Sequence, residues 1–161
     1  MIYRAQFCYP TPPGCRDEDF VYYFDGSNTP MLDQDVQGLR LANIPLPLQQ
    51  DAPFYWRGIK VELRTGGGGP SIPNFYVKFQ DCYLNDLSDG LVSAVTYGFA
   101  QNPVIFGQAD YTGAPVPLEP EIYCPAGGLI QFFLSCPTGT AVYPLVTLFG
   151  VKRFKDCGGN S

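Results

Sequence analysis

The side chains with the chemical reach to act on a substrate in this chain are carboxylates and thiols. Asp17, Glu18 and Asp19 stand in a row, and Asp81, Asp86 and Asp89 lie close together further on. Two carboxylates facing each other across a glycosidic bond can hydrolyse it, one as acid and the other as base or nucleophile. Sequence spacing alone does not supply that gap. Asp86 and Asp89 fall in turn contexts, where Asp bonds its own backbone. The plain reading of these acids is therefore solvated turns, with calcium binding and catalysis as the sharper alternatives. Asp33 and Asp35 open like a calcium loop, but Ile44 stands where the closing Glu belongs, and the match fails.

Six cysteines, at 8, 15, 82, 124, 136 and 157, supply the thiols. Their even number suits a disulfide framework. The residues after Met1, however, lack the apolar stretch and small-residue cleavage site of a signal peptide. The expectation is a reducing compartment, with most cysteines acting as small buried apolar groups. Cys8 and Cys15 bracket a Pro-rich turn and are the pair a disulfide could clip. No Cys-x-x-Cys occurs, and the chain has no His. Lack of His removes the commonest general base and metal ligand together, so a Ser-His-Asp site or a His-containing zinc site cannot be built from this chain. The glycines at 66 to 69 are followed by Pro70-Ser71, not by the Lys-Ser/Thr and helix of a phosphate loop, and read as a loop tip. The expected site therefore holds no catalytic residue, no metal and no cofactor.

Such groups must be placed by elements, and the elements read as strands. The 161 residues fit one domain with its own core. Phe (12) and Tyr (11) are abundant, which favours strands, while Gly (18) and Pro (16) punctuate helices. Residues 1–16, with Pro10, Pro12 and Pro13, read as an extended arm. Residues 20–24 read as a strand, and residues 39–48, broken by Pro45 and Pro47, as an edge segment at best. In residues 54–64, Ile59, Val61 and Leu63 alternate with Lys60, Glu62 and Arg64, giving one core face and one wet face. Phe75, Val77 and Phe79 repeat the pattern, and the two runs are expected to form a long hairpin across the glycines. Further strands are expected at 91–97, 104–106 and 118–123. The apolar runs at 127–135 and 141–154, either side of Pro137 and Gly139, read as a terminal hairpin. The fold class is all-β: a single-domain antiparallel sandwich at 17–155, with a polar tail at 156–161.

What remains is surface for contact. A net charge of −5 argues against nucleic acid as partner, and Lys152, Arg153 and Lys155 form a basic group too small to change that. No apolar run is long enough to span a membrane. Trp56, with Phe54 and Tyr55, can anchor a core or an interface, or offer a platform to a sugar ring. Tyrosines at 22, 23, 76, 83, 97, 111, 123 and 143 exceed the needs of one small core, and Tyr is favoured where proteins meet. The interface candidates are Phe54, Tyr55 and Trp56, with Tyr9, Pro12 and Pro13 in the arm.

Three segments carry a family resemblance: residues 51–59 (Asp-Ala-Pro-Phe-Tyr-Trp-Arg-Gly-Ile), residues 75–81 (Phe-Tyr-Val-Lys-Phe-Gln-Asp), and residues 117–154, with Pro117-Leu-Glu-Pro120 and the closing Leu148-Phe-Gly-Val-Lys-Arg-Phe154. The pattern resembles small structural proteins of tailed-bacteriophage virions. It implies a jelly-roll type of sandwich, assembled in the bacterial cytoplasm and carried on the particle. It also implies a non-enzymatic role, with head decoration first and a tail, head-tail adaptor or fibre component second. A carbohydrate-binding sandwich is the alternative from another class. The implied partners are further copies of the chain in a symmetric homo-oligomer, a trimer among the options, and the major capsid protein or other virion proteins.

Overall fold

The computed structural model describes residues 10–25, 42–65, 76–97, 110–111, 115–135 and 142–156. They form nine strands: β1 (Cys15–Asp25), β2 (Ala42–Pro47), β3 (Phe54–Thr65), β4 (Tyr76–Gln80), β5 (Val92–Ser93), β6 (Asp110–Tyr111), β7 (Val116–Cys124), β8 (Leu129–Ser135) and β9 (Val142–Lys155). One sheet runs β1-β9-β3, with β6 and β7 both on the far side of β3; the other runs β2-β8-β4-β5. Every pairing is antiparallel.

The two sheets meet through aromatic and branched side chains. Tyr22, Phe54, Trp56, Ile59, Val61, Val146 and Leu148 come from the first sheet, and Val77, Phe79, Ile130, Phe132 and Leu134 from the second. Rings interlock across the gap edge to face: Phe24 on Phe132 at 5.4 Å and Trp56 on Phe79 at 6.0 Å. This is the geometry in which the ring quadrupoles attract. The all-β class and the face-to-face layering agree with the sequence pattern.

Both expected hairpins are corrected. β3 and β4 lie in different sheets, as do β8 and β9. The alternation that set the core faces was right, but two adjacent half-buried strands can satisfy it across the core as well as side by side. The length of β9 tips the balance. Its 14 residues pair with β1 along one side and with β3 along the other, leaving no side free for β8. The 91–97 strand also shrinks, to Val92–Ser93 followed by a 3-10 turn at Ala94–Tyr97. β1 begins earlier than expected, because Cys15 and Arg16, assigned to the arm, already pair with Lys155 and Phe154. The segments at 31–38, 66–69 and 104–106 lie outside the described residues.

Candidate interaction surface

The register of β3 decides the fate of the aromatic candidates. Phe54 and Trp56 point into the core and are wholly buried. The Trp56 Nε1–H donates to the carbonyl of Gly58 at 3.0 Å, so even its polar edge is satisfied internally. Neither ring can touch a second molecule, which corrects their assignment as interface anchors and removes Trp56 as a sugar platform. Tyr55, between them, faces outward and is half-buried. Pro12 and Pro13 are exposed in the turn that leads into β1, where the Cys15 N–H donates to the Pro12 carbonyl. Tyr9 lies outside the described residues.

The excess tyrosines divide in the same way. Tyr22 and Tyr97 are buried, whereas Tyr23, Tyr83 and Tyr123 are exposed. Tyr83 and Leu84 form the tip of the turn after β4 and are 59% and 65% exposed. Asp81 folds that turn. Its Oδ1 accepts from the backbone N–H of Tyr83 (2.8 Å) and Asn85 (2.9 Å), and its Oδ2 from the Asn85 amide (3.0 Å). With the chain wrapped around one carboxylate, Leu84 takes a φ of 64°, the left-handed conformation that bulky residues rarely adopt. The two apolar side chains are left outside. Tyr83 lies near enough to Tyr123 for that phenol to help raise its pKa, after desolvation. Tyr123 stands opposite Tyr55 on β3, ring to ring at 5.4 Å. Leu129, at the start of β8, is exposed too, and its neighbour Gly128 lies against the Cys82 sulfur beside Tyr83. Tyr83, Leu84, Tyr123 and Leu129 thus gather at one end of the sandwich.

Beside this end runs an ionic row that links four strands of the first sheet. Asp17 on β1 takes both arms of Arg153 on β9, at 2.7 and 2.9 Å. Arg57 on β3 lies 3.5 Å from Asp17, and its Nε donates to Glu121 on β7 at 2.7 Å. Residues 118–121 bulge opposite Arg57, which lets Glu121 reach it. The Arg153 guanidinium also stacks on Tyr55 at 4.0 Å. The hydrogen bond from Arg153 holds the Asp17 carboxyl below its ordinary value, against the opposing effect of burial. A carboxylate neutralised this way makes a weak base and a poor proton donor, so the row suits cohesion better than hydrolysis. The expectation that Asp17 sits in a solvated turn is corrected: its side chain is buried, in the middle of a strand pair.

The other sequence candidates separate. Asp86 accepts from Gln80 at 2.7 Å at the surface, and Asp89 is exposed in the turn ending at Gly90. Lys152, from the small basic group at the end of the chain, is buried; it holds Asp51 at 2.8 Å and Gln49, and its ammonium sits 4.0 Å from the Phe20 ring centroid. Among the described residues, no group of three acids or cysteines is placed to hold a metal ion. Sequence reasoning missed the Asp17–Arg153 pair, for which nothing local signals a partner so distant. It had the Tyr83 tip within reach, because an Asp followed two and four residues later by the chain's turn is an Asx signal. No protein-family model, no curated protein and no solved structure matches the chain.

Proposed function

We propose that this chain is a non-enzymatic structural protein of a tailed-bacteriophage virion, most simply a decoration protein that binds and stabilises the head lattice. The observation that carries the reading is the exposed Tyr83, Leu84, Tyr123 and Leu129 at one end of the sandwich, while Phe54, Trp56, Phe79 and Phe132 are wholly buried between its sheets. Exposed tyrosines beside apolar side chains suit protein contact, because each ring offers area with little entropy to lose. In this reading the sandwich is of jelly-roll type and self-associates symmetrically, as a trimer or another closed ring. The Pro-rich arm reaches neighbouring capsid subunits, and many modest contacts add up because each copy is held at several points of one lattice. The protein is assembled in the host cytoplasm and leaves on the particle.

Quantitative mass spectrometry of purified particles tests this. Hundreds of copies per particle are expected for decoration. A handful would move the protein to the tail, adaptor or fibre, and absence from particles would end the virion reading.

A further inference from the structure

We infer that Cys82 and Cys124 form a thiol–disulfide exchange site, which closes into a disulfide between the two sheets when a small-molecule disulfide is present. The two residues come from opposite layers: Cys82 lies two residues past the end of β4, and Cys124 ends β7. Cys124 is fully buried opposite Phe54, while Cys82 is partly open to solvent. The Cys82 sulfur packs against the Pro125–Gly128 turn that directly follows Cys124, and the two thiols are close enough that each is the largest influence on the ionisation of the other. Gly128 closes the pocket from the other side; a Cβ there would stand 2.8 Å from the Cys82 sulfur, so only glycine leaves the thiol its room.

The division of labour follows from this geometry. The Cys124 thiol lowers the pKa of the Cys82 thiol, and the Cys82 thiol together with burial raises that of Cys124. Cys82 is therefore the accessible, more easily ionised partner, as an attacking thiol must be. In oxidised glutathione, for example, the Cys82 thiolate attacks one sulfur, and one glutathione leaves as thiolate. Cys124 gives up its proton to that leaving group and attacks the Cys82 sulfur, expelling the second glutathione. Two protein thiols are oxidised, one small disulfide is reduced to two thiols, and charge and atoms balance. The inference does not rest on the virion reading.

The test uses the full chain, reduced and then incubated with oxidised glutathione at pH 8. Free thiols are blocked, and the protein is digested with pepsin at a pH too low for exchange. Trypsin will not serve, since no Lys or Arg lies between Lys78 and Lys152. The expected product is one cross-linked peptide pair joining Cys82 to Cys124, with a Tm raised by roughly 5–15 °C and restored by dithiothreitol. In Cys82→Ala the Tm rise should vanish. A Cys82 that stops at the glutathione adduct, pairs with another cysteine or stays reduced overturns the inference. That peptide map needs no variant, so it decides the matter even if Cys82→Ala fails to fold.

Discussion

The core and the aromatic end of this molecule use the same kinds of residue to opposite purpose. Between the sheets, Phe54, Trp56, Phe79 and Phe132 lose all contact with water, and each packs edge to face on another ring: Phe54 on Tyr22, Trp56 on Phe79 and Phe132 on Phe24. At the end, Tyr83 and Tyr123 keep theirs, although Tyr123 is the cross-strand neighbour of Tyr55 and only one residue from the fully buried Cys124. Aromatic content by itself therefore assigns no role. Strand register assigns it, because one step along a strand carries a ring from the dry face to the wet one.

Substitutions in the two regions should separate stability from association. The largest effect is expected in the core: Phe132→Ala should cost about 4 kcal/mol of unfolding free energy, read from chemical denaturation, through lost burial and the cavity left behind. A cost below about 1 kcal/mol would mean that the sheets do not interlock through this ring. Next comes the ionic row, where Asp17→Asn takes from Arg153 the carboxylate it grips with both arms and should cost about 3 kcal/mol near neutral pH. The sign of its pH dependence is fixed. The folded carboxyl lies below its ordinary 3.8, so the contribution is fully present above that value and is lost as pH falls through the folded value. The gap between wild type and Asp17→Asn should thus be flat above pH 5 and close in stronger acid.

At the aromatic end the balance should reverse. Asp81→Ala removes the acceptor of three hydrogen bonds and should cost about 1–2 kcal/mol while freeing the Tyr83 tip. The double change Tyr83→Ala with Tyr123→Ala should move stability least, by less than about 0.5 kcal/mol for each residue. It should nevertheless weaken binding to head shells, or to further copies of the chain, by about tenfold or more in sedimentation assays. Unchanged binding in that double variant would dissolve the distinction between the two regions.

The layers were legible in the sequence because alternation in residues 59–64 and 75–79 is a local property, fixed by the side-chain period of a strand. Partner choice was not. Whether residues 54–64 pair with 75–81 or with 142–154 depends on which arrangement closes the sheets, and Gly66 to Gly69 looked like a hairpin tip in either case. The edge character of residues 42–47 was legible, because a proline declares its missing donor directly. Trp56 was misplaced for a related reason: the pattern that sets Ile59 and Val61 inward shifts at the bulge between Trp56 and Gly58, and only the paired strands show on which side of the shift each ring falls.

The prolines of β2 also limit how the molecule can grow. The Leu48 N–H donates to Gly128 beside β8, so the even positions of this strand aim their amides inward and the odd ones aim outward. Pro45 and Pro47 occupy odd positions, leaving that rim of the second sheet short of donors where an incoming strand would need them. Copies of the chain are barred from zipping backbone to backbone along this border into an endless ribbon, and a contact made there must go through side chains.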